Sequence, residues 1–206
     1  MNWNLCEIDY LNTYFYCLFC SLAKVNNMNI YCVDDSHLHI SKMTEVIKAV
    51  CSLKDISDYQ LIECSDASQL IEKAKYYPPF LITMDINMPS MDGLSALVRM
   101  RKMYPNCIIV MVSSESKDVV KRLCTVDTKK HFDADDAKKQ EMLDKVITRV
   151  KSGVKEPGKI NSVLEACASL GMDPIVVAKN YGADAFISKP FDIAEASKKI
   201  SSILKV

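Results

Sequence analysis

Five side chains in this sequence have the type and setting to handle a phosphoryl group: Asp34, Asp35, Asp85, Ser113 and Lys189. Each sits at or just after the end of a short apolar run, at residues 29–33, 80–84, 107–112 and 183–188. If those runs lie side by side, three carboxylates meet. They repel one another strongly unless a cation joins them. Oxygen ligands that leave room for water and a phosphoryl oxygen suit Mg²⁺. A carboxylate in such a site can act as a nucleophile and become an acyl phosphate. The charge developing on the phosphoryl oxygens then needs donors, which a metal ion, an ammonium and a hydroxyl supply.

The elements that must position these groups alternate. A strand over 29–33 ends on Asp34-Asp35, and Ser36 is expected to cap a helix carrying Ile40, Met43, Ile47 and Val50 at helical spacing. A second strand covers 60–64. Asp66 caps a helix through Leu70, Ile71 and Ala74, which Pro78-Pro79 stops. The third strand, 80–84, ends on Asp85, and a loop with Pro89 and Gly93 leads to a helix with Leu94, Leu97, Val98 and Met100. The fourth strand, 107–112, is the most apolar. The last unit is a strand over 183–188, then Lys189-Pro190, then a helix on Ile193, Ala196, Ile200 and Ile203. Continuous apolar strands alternating with helices predict an α/β fold, a parallel sheet covered on both faces. Ligands of such sheets bind beyond the carboxyl ends of the strands.

The stretches Asp34-Asp35, Met84-Asp-Ile-Asn-Met-Pro-Ser-Met-Asp-Gly93, Val112-Ser113 and Ser188-Lys-Pro-Phe191 resemble the signature of response-regulator receiver domains, over about 28–116 and 181–206. The resemblance implies a flavodoxin-like (βα)5 doubly wound parallel sheet of order 2-1-3-4-5. It makes Asp85 the phosphoacceptor. Asp34, Asp35 and Asp85 would hold Mg²⁺ together with the backbone carbonyl of Asn87. Lys189 would contact the phosphoryl group across a cis Lys189–Pro190 bond. Ser113 and Phe186 would be the switch residues, a hydroxyl on a phosphoryl oxygen and a ring that moves inward. The implied partners are a histidine kinase or phosphotransfer protein and an unknown output protein. The resemblance also implies two-component, chemotaxis-like signalling.

The span from Ser113 to Lys189 departs from the family, which fits a single helix there. Lys117–Leu123 resembles the start of that helix and Ile175–Tyr181 its end. The stretch about 117–172 between them reads as a helical insertion, with apolar stripes at Val119–Cys124, Leu143–Val150 and Ile160–Cys167. Residues 1–27 read as an N-terminal extension, or as an overextended gene start before Met28. The receiver domain then occupies 28–206. With nothing after Val206 to act as an output domain, signalling through a partner is expected, and the chain is not expected to be an enzyme.

Plainer readings stand beside these. Adjacent aspartates after a strand can be a solvated turn, Ser113 a helix cap, and Lys189-Pro190 a helix start. His37 and His39 read as surface or structural residues, with tuning of the site as the lesser alternative, His131 as a loop residue, and Met84, Met88 and Met91 as local packing. A receiver-fold adaptor working unphosphorylated through its insertion is the alternative function. A haloacid-dehalogenase-like phosphatase is more remote, because Asp85-Ile-Asn87 lacks the second aspartate such enzymes use and the acidic pair precedes the nucleophile.

Bulk properties narrow the classes. Of 206 residues, Lys plus Arg number 26 and Asp plus Glu 26, so no net field favours nucleic acid or an anionic membrane. The nine cysteines fall mostly within apolar runs and read as reduced core residues of a cytoplasmic protein. The lone Cys17-Leu-Phe-Cys20 lacks the second ligand pair of a zinc site. No run is long and apolar enough to read as a membrane span, and the acidic flank of residues 11–23 disfavours a signal peptide.

Overall fold

A computed structural model describes residues 28–114 and 134–205. The expectations for residues 1–27, for Val119–Cys124 and for His131 lie outside these residues.

Five strands form one sheet: β1 (Met28–Val33), β2 (Tyr59–Cys64), β3 (Pro79–Asp85), β4 (Ile108–Ser113) and β5 (Ala185–Ser188). Their order is β2-β1-β3-β4-β5 and every pairing is parallel, as the sequence implied. Successive side chains along a strand point to opposite faces. Tyr31, Val33, Ile82, Met84, Ile109, Met111 and Phe186 accordingly enter one core, and Ile30, Cys32, Leu81, Val110, Val112 and Ile187 the other. Both faces are apolar and both are covered, which is why the strands read as unbroken apolar runs.

On the second core lie α1 (His37–Leu53) and α7 (Ile193–Ile203), packed on each other and joined by the Ser197 hydroxyl on the Val46 carbonyl at 3.3 Å. The predicted stripe Ile40, Met43, Ile47 and Val50 is the buried face of α1. Ser36 occupies the N-cap position, but its hydroxyl makes no cap bond. On the first core lie α2 (Ala67–Ala74), capped by the Asp66 carboxylate through the Ser68 and Gln69 N–H groups, and α3 (Gly93–Met103). α2 ends at Ala74, one turn before the two prolines, and Pro79 opens β3.

The β4–β5 connection adds three described helices to the first face: α4 (Ala134–Ser152), α5 (Val163–Leu170) and α6 (Pro174–Asn180). All three contact α3. The predicted apolar stripes Leu143, Val146, Ile147 and Val150 of α4 and Val163 and Cys167 of α5 are buried in the same core as the sheet. α3 is therefore enclosed nearly all round, with Gly93 to Val98 and Met100 all buried. A helix buried over most of its circumference is an interior helix along that length. Its main polar anchor at the far end is Arg101. The guanidinium donates to the Pro105, Cys107 and Gly182 carbonyls at 2.7, 2.6 and 2.5 Å and pairs with Asp184 at 2.8 Å, and Asp184 also accepts the Ile109 N–H.

Candidate functional site

Strand register brings the predicted residues together. Val33 is paired with Met84, so the next residues, Asp34 and Asp85, leave the sheet side by side. Asp85 is paired with Val112, and Ser113 with Ser188. The ladder runs one residue further, with the Lys189 N–H on the Ser113 carbonyl at 2.7 Å and the Ile86 N–H on the Val112 carbonyl at 3.1 Å. Asp34, Asp35 and Asp85 each offer an oxygen within 4.8 Å of the others. Lys189 crosses to this cluster, its Nζ 2.8 Å from Asp34 Oδ2 and 3.0 Å from Asp85 Oδ1.

The site is dry on one side and open on the other. Asp34 and Asp85 are 5% and 3% exposed, whereas Asp35 and Asn87 lie in solvent. Burial raises the carboxyl of Asp85 above its ordinary pKa, more than Lys189 beside it lowers it. Buried Asp85 Oδ1 is met by the Lys189 ammonium at 3.0 Å, and no other polar group among the described residues bonds it. Three carboxylates against one ammonium leave a local excess of two negative charges. Three carboxylates with a single ammonium between them are what a hard divalent cation with oxygen ligands would satisfy, so the donor set fits Mg²⁺.

The loop after Asp85 is held by contact. The Gly93 N–H donates to the Ile86 carbonyl at 2.8 Å, and a Cβ on Gly93 would stand 2.1 Å from the Asp85 carbonyl oxygen. Only glycine lets the start of α3 lie against the backbone of Asp85. Met84 and Met88 are buried, and Phe186 is 3% exposed with its ring in the α3-side core. The Lys189–Pro190 bond is cis.

Two features were missed. His39 read as a surface or structural residue, yet its Nδ1 lies 3.3 Å from Asp34 Oδ1, which also accepts the Ser36 N–H. Its place on the first turn after Asp34-Asp35 was the available signal. Asp92 is a buried carboxylate whose partners include residues 70 positions away. No local pattern could have shown that.

The response regulator receiver domain family matches residues 30–146, more than half of the chain. Curated relatives include a protein-glutamate methylesterase/protein-glutamine glutaminase of Burkholderia lata. It is 34% identical over 96 residues, which are 45% of this chain and 24% of the relative. Proteins of the same name from Maricaulis maris (39% over 83 residues, 40% of this chain and 19% of the relative) and Archaeoglobus fulgidus (36% over 92 residues, 44% and 24%) also match. The chain spans about a quarter of the length of these relatives. Their name is that of an enzyme, and this corrects the expectation that the chain is not one: that exclusion does not stand. Among solved structures, the CheX–CheY–BeF3–Mg complex from Borrelia burgdorferi is similar at TM-score 0.49, with 18% identity over 85% of this chain and 88% of that one. Chemotaxis protein CheY4 of Vibrio cholerae gives 0.47, with 17% identity over 86% and 98%. The matched motifs, their order on the strands and the sheet that carries them lead to one statement: this chain belongs to the response regulator receiver domain family.

Proposed function

We propose that the chain is a phosphoacceptor switch in which Asp85 takes a phosphoryl group from a histidine kinase or a phosphotransfer protein. The observation that carries the reading is Lys189 Nζ set between Asp34 and Asp85 at the carboxyl edge of the sheet, with Asp35 alongside. In this reading an Asp85 carboxylate oxygen attacks phosphorus, the bond from phosphorus to the donor breaks, and an acyl phosphate forms on Asp85. Mg²⁺, when bound by Asp34, Asp35, Asp85 and the Asn87 carbonyl, would supply positive charge to the transferring oxygens. Lys189 leaves its carboxylate partners for a phosphoryl oxygen. The Ser113 hydroxyl donates to another, drawing the end of β4 toward the acceptor, and Phe186 is the ring whose packing follows. A switch of this kind is a shift between two populations, and the phosphoryl group must be held better in one of them.

The output is a partner protein or an attached activity. The relatives' name points to control of a glutamate methylesterase or glutaminase as the first activity to assay. Five buried, free cysteines, Cys32, Cys51, Cys64, Cys107 and Cys167, suit the reducing cytoplasm. No helix among the described residues is long and apolar enough to cross a membrane.

Incubation with Mg²⁺ and acetyl phosphate, read by intact mass, tests the proposal. One phosphate adduct on the wild type and none on Asp85→Asn is the expected result. No adduct on a wild type that still binds Mg²⁺ would shift the weight to an adaptor working through the β4–β5 connection.

A further inference from the structure

We infer that Ser162, at the head of α5, is a positioning residue for the acceptor, a role that rests on Asp85 taking the phosphoryl group. The argument runs along one chain of contacts. Asp92 is 7% exposed and no cation pairs with it among the described residues. Its Oδ1 accepts the Ser95 N–H at 2.8 Å, which caps α3. Its Oδ2 accepts two hydroxyls, Ser95 Oγ at 2.6 Å and Ser162 Oγ at 2.8 Å. Each serine is bonded a second time: Ser95 Oγ accepts the Val163 N–H at 2.9 Å, and Ser162 Oγ accepts the Glu165 N–H at 3.1 Å. The caps of α3 and α5 are thus one closed network, in which every donor has one acceptor and the buried carboxylate is satisfied by neutral groups alone. Asp92 and Ser95 are buried, whereas Ser162 is half-buried at the edge of a cleft. A carboxylate buried at the inner end of such a network is costly to satisfy in part, which favours one geometry.

That geometry is passed to the acceptor by the next residue. Gly93 follows Asp92, donates to the Ile86 carbonyl and lies against the Asp85 carbonyl with no space for a Cβ. A shift of Asp92 therefore moves Gly93 into, or away from, the backbone of Asp85. Ser162 touches neither the acidic cluster nor Lys189. It acts through Asp92, and it comes from the β4–β5 connection. The connection thereby reaches the acceptor loop from the α3 side, and small misplacements of a reacting group carry large rate penalties.

The test compares the wild type, Ser162→Ala, Ser162→Thr and Tyr181→Phe in the full chain. Tyr181→Phe removes the phenol that joins Gln140 and Asp144 of α4 and leaves Asp92 untouched. Adduct formation is followed by intact mass over a range of acetyl phosphate concentrations, and loop opening by hydrogen exchange of the Ile86–Gly93 amides. For Ser162→Ala the expected result is a maximal rate about tenfold lower with the half-saturating donor concentration unchanged, and loss of protection at the Gly93 amide. Ser162→Thr, which keeps the hydroxyl, recovers both, and Tyr181→Phe changes neither. A Ser162→Ala rate within twofold of the wild type overturns the inference, as does an equal fall in Tyr181→Phe. If the wild type forms no adduct, it is the reading of Asp85 that fails. The positioning role, which rests on that reading, is then overturned with it, whatever the exchange data show; an adduct on the wild type with an unchanged Ser162→Ala rate overturns the positioning alone.

Discussion

Removing the charge of Asp85 should stabilise the protein when no divalent cation is present. At an effective dielectric constant of about 20, two carboxylate oxygens no more than 4.8 Å apart repel by at least roughly 3.5 kcal/mol, and Lys189 at 3.0 Å attracts Asp85 by roughly 5.5 kcal/mol. Asp35 is exposed and adds a smaller repulsion through solvent. The electrostatic balance is thus a small gain. Taking a carboxylate out of water costs several kcal/mol, and Asp85 is 3% exposed, with Lys189 alone meeting Oδ1. The remainder is a cost of about 1–3 kcal/mol for holding Asp85 ionised. Asp85→Asn keeps the shape and leaves Lys189 its partner Asp34 at 2.8 Å.

Thermal unfolding in EDTA should therefore place Asp85→Asn about 3–10 °C above the wild type. Addition of MgCl₂ should raise the wild type by an amount equivalent to about 2.7 kcal/mol at a hundredfold excess over Kd and raise the variant less, so the gap closes. A variant less stable than the wild type in EDTA would refute the claim that buried charge is the dominant cost there. Equal Mg²⁺ shifts in both proteins would refute the assignment of Asp85 to the cation.

Arg101→Ala strands three carbonyls and the Asp184 carboxylate, and should cost about 3–4 kcal/mol in urea unfolding; a loss under 1 kcal/mol would show the cluster is slack. Gly93→Ala should lower stability by about 2–3 kcal/mol and slow adduct formation by acetyl phosphate, because its Cβ would collide with the Asp85 carbonyl. A variant of wild-type stability and rate would mean that α3 does not press on the acceptor. Burial pushes the Cys107 and Cys167 thiols up to about 12, leaving about one in ten thousand as thiolate at pH 8. Peptide mapping after iodoacetamide should find neither modified in the native protein and both modified in urea.

The parts legible in the sequence are those whose signal is local. Each strand is buried on both faces, so 29–33 and 107–112 stood out as apolar runs, and the chemical groups lay at their ends in plain order. The stripes of α1 and α4 followed from helical spacing. Local reading fell short where a residue's partner is distant. Ser36 was expected to cap α1 with its hydroxyl. Instead Asp34 takes the Ser36 N–H, since Asp34 is held beside β1 by the site it serves. His39 looked like any helix-surface histidine until the first turn of α1 was placed over Asp34. Arg101 reads as one more charge after an apolar stretch, and nothing nearby announces Gly182 or Asp184. The family match ends at residue 146, short of β5, yet Lys189 reaches the cluster because β5 pairs in register with β4.

The β4–β5 connection is a structural part of this receiver and not an appendage. Three separate places on α3 are bound by it: the N-cap through Ser162, the middle through Leu143, Val146 and Ile147 in a common core, and the end through Gly182 on Arg101. Arg99, between them, lies against Gly153, whose φ of +74° admits little but glycine and whose missing side chain makes room for the guanidinium. Arg99 also borders a cleft of about 630 Å³ with the acceptor loop, Met88 to Asp92, on one wall and α4 and α5 on the other. The face of α3 that points away from the sheet is thus spent on the chain itself. Any rearrangement of the β3–α3 loop must either move α5 with it or break the bonds from the Ser162 hydroxyl to Asp92 and from the Val163 N–H to Ser95. Motion of the loop after Asp85 is for that reason mechanically continuous with the connection, and it would change the width of the cleft between them.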